Sequence, residues 1–549
     1  MKQINFSLFL LFTITFFGNQ SVYGQKTIEV DSTVLLIDGS FAPYDSLVPG
    51  DTIRLKPGQK QLLILRNLVG TTDQPIIITN GDGLVDVNST HYFGISIRHC
   101  NHIKLTGTGK TNLKYGIRIL NIQGSGLSIG DYSTNVETDH LEIGEILYSG
   151  IIAKTEPDCN FDRNTFIQEN TIIHDCHIYN TGTEGMYVGS SFYSGQTLQC
   201  DSGPKIVLPA LLRGVNIYDN IVEHTGWEGI QVSSAASTSI HHNRVSYDSQ
   251  EKTDWQMTGI TLGGGSTGSV FDNIIEEGEG TGVFTNGLGD INIYNNIIIN
   301  PGKTNNQSSG NYGIYATDAS AYPGMYFNIY NNLILHPKKT GILLVNSLSN
   351  DRNTIQNNVI STNNLQIGNN PSDAFIDING NHAILKTNYC SYEDSKLQLD
   401  FDSNGKISIL ETSPLIDAGS TITKNDYPSD IYGNTRIQGF GVDIGPVESA
   451  YARAVNFMDA DAAKDMAYPN PVKPNEIVTF IVNNEWPGYV KVNLIDESGR
   501  IIKTLSDSYC MDGNQSISIE SNLMNKGINY IQIARTKNSN ILRVVVNEQ

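Results

Sequence analysis

A chain of 549 residues is long enough for a large core and more than one domain. It carries 39% apolar and 17% charged residues, 52 glycines and a net charge of −20. Few charges and many glycines suit short strands and tight turns rather than a helical bundle. The acidic balance argues against a nucleic-acid partner, and against polyanionic sugars unless a basic patch or bridging cation intervenes.

Residues 1–24 read as a secretory signal, with Lys2, an apolar run from Ile4 to Phe17, and Val22-Tyr23-Gly24 before cleavage at Gln25. No other stretch has the roughly 18 apolar residues that a membrane span needs. The expectation is an exported monomer with no transmembrane segment.

Strand-rich sequence begins with Gly50-Asp51-Thr52-Ile53-Arg54-Leu55 and Gln74-Pro75-Ile76-Ile77-Ile78. From Phe93 onward a glycine followed by apolar alternation recurs, at Gly94, Gly116, Gly150, Gly185 and Gly229, then at Gly259, Gly282, Gly313 and Gly341. A second column, I-x-x-N-x-I, centres on Asn220, Asn243, Asn273, Asn296, Asn332 and Asn358, with Cys176 in the same slot one turn earlier. The shortest repeat is about 23 residues, too short for the crossover helix of a βαβ unit. The strands must therefore coil into a solenoid in which each turn buries one face of its strands. The amides would form a ladder along the stack, and the glycines would mark a corner needing positive φ or close approach.

These two columns and the opening segments resemble the right-handed parallel β-helix family of extracellular polysaccharide-active proteins. The resemblance implies an all-β, single-stranded right-handed parallel β-helix of about 10–12 coils over residues 25–448. It is specific for fold and not for reaction. The Gly-His-Gly, Arg-x-Pro-x-x-Arg and Lys-Ser-Ser motifs of the polygalacturonase, pectate lyase and alginate lyase types are absent.

Strand alternation points residues one and three after each glycine inward and residue two outward. The outward column is Ser96, Arg118, Ile152, Tyr187, Gln231, Thr261, Phe284, Tyr315 and Leu343. Loops at about 155–170, 190–212 and 246–257 flank it and would wall a groove. Cys159 and Cys200 fall in two of these loops and can pair, whereas Cys100 and Cys176 read as core residues.

Within the groove Thr-Gly-x-Glu occurs twice, ending at Glu184 and Glu228. In register, the carboxylates would stack ~4.8 Å apart. Such a pair can supply acid and nucleophile for glycoside hydrolysis, or ligands for Ca²⁺ that neutralises a uronate during elimination. It can also be two corner residues bonded to backbone amides. No cofactor other than possible Ca²⁺ is required. Lys154 and His224 are candidate bases. Trp227, Tyr187 and Trp255 offer stacking faces, Gln231 a polar contact, and Arg118 or Arg244 a cation for a uronate. The column His174, Tyr218, His241, Phe271, Tyr294 and Tyr330 is too regular for a binding site and reads as structure.

Residues 413–448 resemble the choice-of-anchor segment that closes many bacterial surface β-helices. Asp417, Arg436 and Asp443 are read there as an ion-pair cap over the last coil. A linker at 449–465 leads to residues 466–549, which open with Tyr468-Pro469-Asn470-Pro471 and continue in alternating strands, a small antiparallel β-sandwich. This segment resembles the type A sorting domain of the type IX secretion system of Bacteroidota. The resemblance implies that machinery as a partner and a secreted or surface location. The expected function is binding and cleavage of an extracellular polysaccharide by a lyase or glycoside hydrolase. The alternative is a non-catalytic adhesin or glycan-binding protein.

Overall fold

The computed structural model describes residues 25–306, 310–319, 325–346, 352–362, 375–380, 383–420, 429–438, 441–451, 465–468, 470–484, 486–496, 499–510, 513–535 and 538–547. The signal at 1–24 and most of the linker at 449–465 lie outside them.

Three long parallel sheets run the length of the main body. Sheet I has 13 strands, from Thr27–Val30 to Ile384–Lys386. Sheet II has 12, from Gly58–Lys60 to Tyr389–Ser391, and sheet III has 12, from Leu36–Asp38 to Ile376–Gly380. From Thr52 onward the coils visit them in that order, as in Thr171–His174, His177–Thr181 and Met186–Gly189. This is the expected β-helix at the upper end of its coil number. Period-2 alternation sends Ile151, Ala153, Met186, Val188, Ile230 and Val232 inward, all 0% exposed, so like residues stack on like from coil to coil.

The asparagine ladder forms as expected and gains a seventh rung, Asn388. At Asn296, Oδ1 accepts from the Asn273 backbone N–H at 3.1 Å and side chain at 3.0 Å. Its Nδ2 reaches Val270 O at 2.9 Å, Tyr294 O at 3.0 Å and Asn332 Oδ1 at 3.0 Å. The residue before each rung takes positive φ, for example 54° at Asp272 and 56° at Asn295. That single left-handed residue makes the corner tight enough for the amide to turn inward. Along sheet I, His174, Tyr218, His241, Phe271 and Tyr294 stack with ring centroids 4.6, 5.2, 4.7 and 4.8 Å apart, so this column is structural.

The glycine column is fixed by close approach. A Cβ on Gly150 would lie 2.4 Å from Ile178 Cγ2 and 2.7 Å from Gly185 O. One assignment changes: Gly116 precedes Ile117–Leu120, a strand of sheet II, and Gly126 fills the column between Gly94 and Gly150.

The ends are closed in different ways. Beneath the first coil, Lys60 of the first sheet II strand points inward, in register with Val87, and is 3% exposed. Its ammonium donates to Asp31 O, Ser32 O and Val34 O at 2.9, 3.0 and 2.9 Å, and burial pushes its pKa down to about 8. The closing segment does not lie across the last coil as expected. Leu397, Ile407, Leu415 and Ile416 pack against Ile297, Leu333 and Val359 on the outer face of sheet II. Nor do Asp417, Arg436 and Asp443 form one ion-pair cap. Arg436 pairs with Glu448 at 2.9 Å, while Asp443 Oδ1 accepts the Asp417 N–H and Asp417 Oδ1 the Gly441 N–H.

The C-terminal unit has a three-stranded and a four-stranded antiparallel sheet around Val478, Phe480, Val490, Val492, Ile531 and Ile533. Tyr509 from this unit donates its hydroxyl to Asn388 O at 3.1 Å, meeting the last rung of the ladder.

Candidate functional site

The residue before each glycine forms its own column at the corner between sheets II and III: Ser149, Glu184, Glu228, Thr258, Thr281 and Tyr312. Its register follows from Gly150 N–H to Glu184 O (3.1 Å), Gly185 N–H to Glu228 O (3.0 Å) and Gly229 N–H to Thr258 O (3.1 Å). Glu184 and Glu228 thus occupy successive rungs, 5% and 2% exposed. Ser149 Oγ donates to Glu184 Oε2 at 2.8 Å. The Gln256 amide lies 3.0 Å from both Glu228 oxygens. Its nitrogen can donate to the carboxylate, or its oxygen can accept from the protonated acid.

Burial, then the neighbouring Glu184 and Asp248 carboxyls, raise the Glu228 pKa to about 8. Asp248, bonded by Ser249 Oγ at 2.6 Å, is raised to about 6, again mainly by burial.

Glu228 opens on a cavity of about 630 Å³. Its floor is the outward column of sheet III, where Gln231, Thr261, Phe284, Tyr315 and Leu343 are consecutive register partners. Asp254, Trp255, Gln256 and Met257 build one wall from the 246–257 loop, and Gly263, Gly264, Asn286 and Thr317 line other parts of it. Trp255 is 86% exposed.

The other expected site residues divide by face. Tyr187 is the strand neighbour of Gln231, its hydroxyl bonded to Ser191 Oγ at 2.7 Å. Lys154 sits 4.5 Å above the Tyr187 ring and pairs with Glu156, toward the N-terminal end of the same face. Trp227 is half-buried at the corner, its backbone N–H donating to Thr183 O at 3.1 Å, and is not among the cavity-lining residues.

Three expected site residues lie elsewhere. His224 is the penultimate residue of the sheet II strand Ile221–Thr225, exposed and stacked on Tyr247 at 4.7 Å, rather than beside Glu228. Arg244 is on sheet II and pairs with Glu276 at 2.5 Å. Arg118 is on sheet II as well, held by Asp86 at 3.1 and 3.2 Å. Alternation distinguishes inside from outside but does not say which of three outer faces a residue occupies.

Residues 168–360 match the family described as the right handed beta helix region, and residues 466–547 match the secretion system C-terminal sorting domain. The protein is a right-handed parallel β-helix with a type IX sorting domain. That domain directs the β-helix protein to the cell surface or the extracellular space. No helix among the described residues is long and apolar enough to cross a membrane.

Among solved structures, the β-helix protein is similar to the GH136 lacto-N-biosidase from Eubacterium ramulus (selenomethionine derivative). They share 15% identity over 63% of this chain and 62% of that one, with a TM-score of 0.44. The chain thus spans less than two thirds of that protein's length. Pectate lyase Pel9A shares 12% identity over 78% of this chain and 98% of that chain, TM-score 0.44. The alginate lyase from Paenibacillus sp. str. FPU-7 shares 14% over 66% and 97%, TM-score 0.32. No curated protein matches the sequence.

Sequence reasoning missed Gln256 and did not single out Thr258 or Tyr312 as lining residues, although both stand in the pre-glycine column. It also read plain loops where the β-helix protein builds a fourth, short parallel sheet, Ile167–Glu169, Leu211–Arg213 and Ala235–Ala236. The 190–212 insertion contains a hairpin, Gln196–Cys200 with Gly203–Val207, fastened by the Cys159–Cys200 disulfide.

The carboxylate pair fits Ca²⁺ poorly. Such an ion takes about six to eight oxygens, while here Ser149 donates a proton to Glu184 and one amide faces Glu228. Glu137, Asp139 and His174 lie within 4.8 Å of one another. The Lys104 ammonium bonds both carboxylates there, 2.9 Å from Asp139, and supplies the positive charge itself.

Proposed function

We propose that the protein cleaves an extracellular polysaccharide in the sheet III groove, with Glu228 as the proton donor. The observation that carries this reading is a buried carboxyl, with its pKa raised to about 8, at the edge of an aromatic-walled cavity of about 630 Å³. At neutral pH such a group keeps the proton that a glycosidic oxygen needs as its bond to the anomeric carbon breaks. Glu184, one rung away and held by Ser149, maintains that protonation by its charge. Asp254, the second carboxyl lining the cavity, supplies the base or nucleophile. Hydrolysis consumes one water, whose hydroxyl goes to the anomeric carbon; its proton goes to Asp254 in direct attack and returns through solvent to Glu228, or goes straight to Glu228 when Asp254 has acted as nucleophile. The separation of the two carboxyls during turnover selects direct water attack or a glycosyl-enzyme intermediate.

A polysaccharide screen for new reducing ends, run beside Glu228→Gln, tests the reading. Turnover in the native chain and its loss in the variant is the expected result. Equal turnover in both would remove Glu228 from the chemistry. Binding without new reducing ends would favour a glycan-binding protein, a reading supported by Gln256 and Ser149 already occupying the two glutamates.

A further inference from the structure

We propose that the cavity takes an uncharged oligosaccharide, of neutral hexose, pentose or N-acetylhexosamine units, and turns polyuronates away. This rests on the groove being the glycan site, and it narrows the ligand by charge. The ionisable carboxyls and amines lining the cavity are Glu228 and Asp254, both acids. Glu184 and Asp248 stand behind Glu228 and contribute further negative potential. Lining residues among those described include no lysine, arginine or histidine.

Lys339 lies 5.7 Å from the ring of the lining residue Tyr312 but is not itself part of the lining, and other neighbouring cations are engaged by groups of their own. Lys154 pairs with Glu156 over Tyr187, Arg163 sits 4.2 Å from the Tyr193 ring and donates to Tyr193 O, and Lys252 bonds Thr304 and faces Glu279. Arg118 and Arg244, the two that could have met a uronate, are on sheet II with acidic partners of their own.

The remaining lining matches what a neutral pyranose presents. Gln231, Thr261, Asn286 and Thr317 offer hydroxyls and amides that can donate or accept. Trp255, Phe284 and Tyr315 offer faces for the apolar C–H side of a ring. A uronate at every residue would bring a carboxylate up to a wall where Glu228 holds its proton and offers no positive charge, where Asp254 is the other acid, and where Glu184 and Asp248 lie behind, so the surrounding charge shares its sign. Elimination is disfavoured for the same reason: removing the proton next to a uronate carboxyl requires that carboxylate to be neutralised, and the lining supplies no group for it. Hydrolysis of a neutral linkage has no such requirement.

The test uses the full chain with Glu228→Gln, so that ligands bind without turnover, and measures affinity by calorimetry. Probes are oligosaccharides of β-glucan, mannan, xylan and N-acetylhexosamine type beside oligogalacturonate and oligomannuronate. A neutral probe should bind at least about tenfold tighter than either uronate. The native chain should release reducing ends from the matching polymer without the ultraviolet absorbance of unsaturated uronates. In the Glu228→Gln background, Asp254→Asn should narrow the preference by strengthening uronate binding, with circular dichroism unchanged.

Tighter binding of a uronate, or unsaturated products, would overturn the charge argument while leaving the glycan reading intact. An unchanged preference in a folded Asp254→Asn variant would also overturn it, because selection would not be occurring at this wall. Failure to bind either class would sink the glycan reading itself, and this inference with it.

Discussion

Replacing Glu228 with glutamine removes the group whose titration most opposes the folded corner. Its pKa rises from 4.5 to about 8 on burial beside Glu184. Below the ordinary value both folded and unfolded chains hold the proton, and the residue costs nothing. As pH climbs toward 8 the unfolded chain ionises and the folded one resists, so stability falls. Above about 8 the loss is complete. Across that interval it reaches on the order of 5 kcal/mol, undiminished by solvent screening because the carboxyl is buried. Glu448, raised to about 8, and Asp248 and Asp443, raised to about 6, push the same way. The informative quantity is therefore the gap between variant and native chain. Thermal melts followed by circular dichroism should show the two close together at about pH 5 and the glutamine variant higher at about pH 9, by on the order of 5 °C. A gap that stays constant with pH would refute the reasoning, since it would mean that Glu228 titrates normally.

Asn296→Ala should destabilise the middle coils by about 3 kcal/mol or more, because it leaves the Asn273 N–H without its acceptor and removes the amide that donates to Val270 O and Asn332 Oδ1 in the interior. Chemical denaturation would register this as a lower midpoint. Arg436→Ala should cost about 1–3 kcal/mol near neutral pH, where Glu448 keeps its proton and loses a buried hydrogen bond along with Gly445 O, and hydrogen exchange should rise first in the described residues 429–438 and 441–451. Cys159→Ser with Cys200→Ser should leave the far-ultraviolet spectrum intact but speed proteolysis within 155–207, because the disulfide fastens an excursion outside the coil core; unchanged proteolysis would contradict that.

The fold was legible because its two recurring columns each express a steric demand. The asparagines need an inward amide after a left-handed corner, and the glycines need room for the side chain and backbone of adjoining coils. Gly116 illustrates the limit: it heads an Ile-x-Ile strand as convincingly as Gly126 heads Leu-x-Ile, and only stacking decides which joins the column. The register of Glu184 with Glu228 was readable, because both end the same tetrapeptide ahead of a column glycine. The assignments of His224, Arg118 and Arg244 failed together, since each belongs to sheet II and period-2 alternation is blind to the face. Gln256 carried no local signal. It reaches Glu228 only through the path of a loop, and loop paths have no period.

A rod made of identical layers invites its neighbour to add one more. Lys60 helps this one stop: from the second coil its ammonium reaches up to hold three carbonyls of the 31–34 turn, folding the first coil down over the corner where another aliphatic rung would fit. A second molecule docking head-on at this corner would meet that turn, whose carbonyls are already bonded from beneath, and not the aliphatic interior.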